Sequence, residues 1–255
     1  NKEEKNLRNT ARKGQTKHMD INQVITGELG VKRWQVDAAV KLIDEGNTIP
    51  FIARYRKEVT GTLDDAQLRT LHERLMYLRN LEEKKEQVLA SIEEQGKLTE
   101  ELKKQILAAE TMVVVEDLYR PYRPKRRTRA MIAKEKGLEP LAALITLQKA
   151  EKPIEVYAEE YVNPEKEVKS VKEAIDGAKD IIAESVSDEA DYRSWIRKAT
   201  VQHGKVISQA KDEKAESVYE MYYDFEEPVT KLAGHRVLAL NRGEKEKFLT
   251  VKIEA

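Results

Sequence analysis

Between Arg120 and Arg129 the chain reads Arg-Pro-Tyr-Arg-Pro-Lys-Arg-Arg-Thr-Arg, six cations within ten residues, with Tyr119 and Tyr122 beside them. Guanidinium forks grip phosphate oxygens, and an aromatic ring stacks on a base, so this composition suits a polyanion such as RNA or DNA. Pro121 and Pro124 are expected to hold the backbone extended rather than helical across that stretch. The same cations have an internal use as well. Glu116, Asp117 and carboxylates on adjoining helices can neutralise them, which would make the strap a connector and nothing more. A second basic cluster is Arg54, Arg56 and Lys57. On a helix Phe51 and Tyr55 fall on one face, expected to be core, while Arg54 and Lys57 share another. The candidate nucleic-acid-contacting residues are therefore Arg120, Tyr122, Arg123, Lys125, Arg126, Arg127 and Arg129, together with Arg54, Arg56 and Lys57.

Other chemistry is not encoded in recognisable form. His18, His72, His203 and His235 are scattered without partners at ligand spacing, so each is expected on the surface or in packing. The acidic pairs Asp64-Asp65, Glu82-Glu83 and Glu226-Glu227 are expected on helices, where adjacent residues point apart and cannot clamp one metal. There is no phosphate-cradling glycine loop and no serine elbow. The expectation is a protein that is not an enzyme and takes neither a metal nor a cofactor. With no cysteine in 255 residues, neither a disulfide framework nor a cysteine-ligated zinc site can form. No apolar run approaches the roughly 20 residues of a membrane span, and no signal peptide is visible. A cytoplasmic, monomeric protein with no membrane partner is expected. Lys and Arg number 46, as do Asp and Glu, so only local patches can attract a polyanion.

The elements that would carry these residues are mainly helical, since Glu, Lys, Leu and Ala dominate and glycine and proline are sparse. Residues 1–18 show no apolar period and are expected to be a disordered leader ahead of Met19, either an appended remnant or a basic tail. Over 19–62, short apolar stripes stop at Gly30 and at Gly46-Asn47, and Pro50 suits a first helical turn, the outline of a helix-turn-helix. Over 63–130 a long helix is expected to open on a capping box at Thr62 to Asp65, with Leu68, Leu71, Leu75 and Leu78 on its stripe. It breaks at Gly96 and returns from Thr99 as an antiparallel hairpin, followed by the basic strap. A dimeric coiled coil is the rival, weakened by Lys85 at a seam position. Residues 131–247 are expected to form a helical linker bundle, with a helix running from Asn163-Pro164 to Val186 and another opened by Asp188 through Tyr192, Trp195, Ile196 and Ala199. Over 248–255, Leu249, Val251 and Ile253 alternate with polar residues as in a strand. With no partner strand foreseen, this strand is expected to lead into a missing domain.

Three blocks resemble a known family: Thr48 to Leu68 (TIPFIARYRKEVTGTLDDAQL), Glu116 to Ala130 (EDLYRPYRPKRRTRA) and Gly234 to Glu244 (GHRVLALNRGE). They are similar to the N-terminal portion of the bacterial Tex family of transcription accessory proteins. The resemblance implies a longer protein that continues into a YqgF-type ribonuclease-H-like domain, helix-hairpin-helix elements and a C-terminal OB-fold RNA-binding domain. On that basis the closing strand would begin the YqgF-type domain. The family's YqgF-type domain is thought not to cut nucleic acid, and its principal RNA-binding domain lies at the far end. The function implied is a non-catalytic helical fragment giving weak, non-specific RNA or DNA affinity and scaffolding. The alternative is a protein-interaction module docking on the transcription machinery or on its own downstream domains. The resemblance carries over the basic residues of the first two blocks and no catalytic residue. His235 is expected to cap or pack beside a buried helix carrying Val237, Leu238 and Leu240.

Overall fold

The computed structural model describes residues 19–255. The expected leader, residues 1–18, and with it His18, lies outside the described residues. The chain divides into two compact units, one ending at Tyr122 and the other Arg123–Ala255. Helices dominate both, as expected.

The first unit is organised on one 30-residue helix. Helices α1 (Ile21–Leu29), α2 (Arg33–Asp44) and α3 (Ile49–Tyr55) precede the long α4 (Asp65–Glu94), and α5 (Glu100–Ala108) and α6 (Met112–Tyr119) return along it. Leu68, Leu71, Leu75, Leu78 and Leu81 recur at three and four along α4 and are all buried, together with Ile25, Val36, Ile52, Ile106 and Val115 from the surrounding helices. Each such side chain contributes about 1.5–3 kcal/mol by leaving water. The capping box that opens α4 lies two residues later than its sequence outline. Asp64 Oδ1 accepts from Gln67 N at 2.7 Å, and Gln67 Oε1 accepts from Asp64 N at 3.1 Å. Thr62, the expected cap, instead sits in the left-handed region at φ 65°. The return arm is two short helices rather than one, joined where Met112 N donates to the Tyr77 hydroxyl at 3.1 Å.

In the second unit α7 (Arg129–Glu135), α8 (Glu139–Leu147), α9 (Ile154–Ala158) and α10 (Val171–Asp188) enclose a core of small residues with a few large ones, including Ala133, Leu138, Leu141, Ala174 and Ala178. Helix α10 starts at Ser170, whose Oγ accepts from Glu173 N at 3.2 Å, and not at Asn163-Pro164, which form a short 3-10 turn. Asp188 ends α10 and does not open α11 (Ala190–His203).

The largest departure from expectation is a sheet. Strands β1 (Lys205–Ala210), β2 (Asp224–Pro228) and β3 (Leu249–Glu254) form an antiparallel sheet in the order β2-β1-β3, with Ser208 opposite both Phe225 and Val251. The closing strand thus has its partners inside the chain and needs no further sheet to stand. Helix α12 (Gly234–Lys245) covers one face through Leu240 and Gly243. Residues 131–247 are therefore not a purely helical bundle. Glu226 and Glu227 lie on β2, so they face opposite sides for a strand's reason: Glu226 bonds Lys205 at 2.6 Å on the outside, and Glu227 turns to Arg236 at 2.6 Å. His235 is exposed at the start of α12 and makes no cap, and Val237 and Leu238 are exposed while Leu240 alone of the three is buried.

Candidate nucleic-acid interface

The basic strap is split by the unit boundary, and its cations behave differently on each side. In the first unit Arg120–Tyr122 is a 3-10 turn, not extended backbone: proline is accepted early in a helical turn because its missing N–H is not needed there. Tyr122 is half-buried against the core of that unit, and its carbonyl accepts from Gln95 Nε2 at 2.9 Å. One side of the ring is therefore packed against the helices of that unit, and only part of it faces solvent. Arg120 and Arg123 are each engaged by another group.

In the second unit Lys125 is locked. Its ammonium donates to Glu184 Oε1 at 2.9 Å and to Asp188 Oδ2, and the lysine side chain is only 26% exposed. Burial pulls this ammonium's pKa down, but the hydrogen bonds it donates to Asp188 and Glu184 outweigh it and leave the group above its ordinary value. Thr128 reaches the same carboxylate, with Oγ1 3.3 Å from Glu184 Oε2, and accepts from Met131 N at 3.1 Å to cap α7. Lys125 and Thr128 thus both reach Glu184, while Arg126 and Arg127 between them are exposed. Arg126 is exposed and has no hydrogen bond or ion pair among the described residues. Arg127 pairs with Glu135 at 2.7 Å while remaining 68% exposed. Arg129 Nε stands 3.6 Å from Asp180 Oδ1 and the side chain is 86% exposed. Exposed pairs of this kind contribute about 0–1 kcal/mol, so a phosphate can displace either carboxylate at little cost. The strap is thus anchored through Lys125 and presents three guanidinium groups.

The second cluster rests on a rigid loop. Arg56 N closes α3 on Ile52 O, Thr62 N donates to Lys57 O at 2.8 Å, and Gln35 Nε2 donates to Gly61 O at 2.8 Å. Gly61 is needed on two counts: φ is +62°, and a Cβ there would meet the Trp34 ring at 2.3 Å. This frame presents Arg54, Arg56 and Lys57, all exposed. Arg56 lies over the Phe51 ring, 5.0 Å from its centre, and donates to Tyr55 O at 3.1 Å. Lys57 has no hydrogen bond or ion pair to its ammonium among the described residues. Tyr55, expected in the core, is instead 59% exposed, because α3 is short and turns only Ile52 fully inward. By contrast, the outer charges of α2 alternate in sign through Arg33, Asp37, Lys41 and Asp44, with Arg33 bonded to Asp20 and Asp37, so that helix offers no basic face.

Among the described residues there is no group of three or more His, Cys, Asp or Glu able to hold a metal, and no helix long and apolar enough to cross a membrane. Similar proteins agree with the resemblance read from the three blocks. The family model described as Tex-like protein N-terminal domain matches residues 19–93, and that described as Tex central region-like matches residues 148–255. The uncharacterised protein YdcI of Bacillus subtilis is 48% identical over 92% of this chain and 33% of its own length. Protein tex of Bordetella pertussis is 47% identical over 92% of this chain and 30% of its own. A human protein named for its S1 RNA-binding domain is 31% identical over 92% of this chain and 24% of its own. The chain therefore spans about a third or less of these relatives. With the first and third resembling blocks falling inside the two matched spans, the chain belongs to the Tex family of transcription accessory proteins.

Proposed function

We propose that this chain is the non-catalytic helical part of a Tex-like transcription accessory protein, giving the whole protein non-specific nucleic-acid affinity and a scaffold for the domains beyond it. The observation that carries the reading is the strap of the second unit, where Lys125 is spent internally and Arg126, Arg127 and Arg129 stay in water. The patch of Arg54, Arg56 and Lys57 supplies a second phosphate-contacting surface on the first unit. Relatives named as transcriptional accessory protein Tex and for an S1 RNA-binding domain support the same direction. The role is cytoplasmic and needs no cofactor, and the fragment acts as a monomer that can assist the transcription machinery. A second reading, a docking module, is favoured by the exposed apolar side chains of α11 and is developed below.

Binding of a labelled duplex across a salt series tests the proposal. Each neutralised phosphate steepens the log–log salt dependence by about 0.9 on duplex. Replacing Arg126, Arg127 and Arg129 by Ala is expected to flatten the slope by about 2–3, whereas Lys57→Ala alone removes about 1. No binding at low salt, or a slope unchanged in the triple variant, overturns the nucleic-acid reading.

A further inference from the structure

Helix α11 contains no buried residue, although it runs through Tyr192, Trp195, Ile196 and Ala199 at the spacing of one helical face. Trp195 is 70% exposed, Ile196 55% and Tyr192 53%. A helix with so well-formed an apolar stripe normally buries it, and single exposed apolar residues are common where a continuous stripe is not. The stripe does not stand alone. Of the eighteen large apolar side chains exposed among the described residues, ten lie between Val186 and Ile253, including Leu238 on α12 and Ile253 on the edge strand β3. The other eight, Trp34 and Leu147 among them, are spread over the longer stretch before Val186, so the deficit of cover is densest in, though not confined to, the part of the chain nearest Ala255.

We infer that the Tyr192-Trp195-Ile196 face of α11 is a docking surface for the same polypeptide: in a chain of the relatives' length, a segment following Ala255 folds over it. Two observations select that occupant. The relatives matched over 92% of this chain are about three times as long or more, so ample chain exists to cover the face. The uncovered residues also gather toward the end from which that chain would continue. The occupant presents an apolar face to Trp195, and ring edges and the Ile196 side chain decide its register. This inference is independent of phosphate contact by the strap.

Hydroxyl-radical footprinting read by mass spectrometry tests it on this 255-residue chain beside the chain extended to the length of its relatives. Oxidation of Trp195 and Tyr192 is expected to fall severalfold in the extended chain. Substituting Ile196→Arg there should restore Tyr192 oxidation, while the same substitution in the shorter chain leaves its unfolding transition unchanged. Equal oxidation in both chains overturns the inference. So does protection that grows with protein concentration, the mark of a second copy, or protection that appears only when single-stranded RNA is added.

Discussion

Lys85 gives the sharpest test of how the first unit is held together. It sits on the buried stripe of α4 and is 1% exposed, with its ammonium donating to Glu82 Oε1 at 2.9 Å and to Leu107 O at 3.0 Å. A charge in that position is stable because both bonds are made at once, one within α4 and one across to the end of α5. Lys85→Met keeps the length of the side chain and deletes the charge. The charge-assisted bond to Glu82 contributes about 1.5–3 kcal/mol, and stripping the Leu107 carbonyl of its donor costs about 1–3 kcal/mol more. Extra apolar burial by Met returns about 1 kcal/mol. The expected net loss is about 3 kcal/mol, at the low end for a broken buried pair because Glu82 is 14% exposed and also accepts from Met19 N at 3.2 Å.

Urea unfolding measures this loss, followed through Trp34 in a Trp195→Phe background so that the first unit alone reports. At a denaturant slope of about 2 kcal/mol/M, the midpoint should drop by about 1.5 M. Lys84→Met, one residue away, loses a half-exposed pair with Glu116 at 2.6 Å and a contact with the Tyr119 ring 5.9 Å off, and should cost about 1 kcal/mol. Adding Glu82→Gln to Lys85→Met should recover part of the loss, since the orphaned carboxylate is then gone. A Lys85→Met loss below about 1 kcal/mol, or no coupling to Glu82, refutes the claim that this pair ties α4 to the end of α5.

Acid weakens the same unit in a defined direction. Arg74 and Arg79 bond Glu28 and Asp44, holding both carboxyls below their ordinary values of 4.5 and 3.8. A depressed carboxyl stabilises the fold above its unfolded pKa and loses that contribution as pH falls through the lower folded value. Stability of the first unit should therefore decline from about pH 4.5 downward, by less than about 1 kcal/mol per exposed pair, and Arg74→Gln with Arg79→Gln should flatten the decline in urea midpoints taken across pH. In the second unit Ser208 is fully buried in mid-sheet, and its hydroxyl has no hydrogen-bond partner among the described residues. Ser208→Ala should raise stability by about 1 kcal/mol in calorimetry, and a loss would show that the hydroxyl is satisfied after all.

Much of the helical framework could be read from periodicity because the α4 stripe is long and regular, and the Gly30 and Gly96 stops are left-handed as their positions required. The strands could not be read in the same way. In β1, Ser208 occupies a fully buried position that an apolar residue would have flagged, and β2 reads Asp-Phe-Glu-Glu-Pro, a composition poor in β-formers. These strands exist because pairing of β1 with both β2 and β3, and cover from α12, override weak local preference. Glu227 shows the same logic, since its inward position is supported by Arg236 from another element and leaves no trace in local spacing. The candidate interface was half legible. Composition marked the cations, but only the fold separates Lys125, held by two carboxylates from α10, from Arg126 next to it.

That separation explains how a chain with no net charge can present a basic surface. Neutrality sums over 46 cations and 46 anions, whereas a phosphate meets only the groups within about a Debye length of 10 Å. Around the strap the carboxylates of Glu184 and Asp188 are already occupied by Lys125 and shielded by it, at 23% and 12% exposure. Glu135 and Asp180 do oppose Arg127 and Arg129, but through exposed contacts that water and salt weaken. The anchor and the outward guanidinium groups thus depend on each other: Lys125 fixes the backbone that aims Arg126. If the strap contacts nucleic acid as proposed, Lys125→Ala should lower the affinity measured in the salt series by loosening the strap and unmasking two carboxylates, whereas Arg126→Ala should subtract one phosphate contact and leave the unfolding transition unchanged.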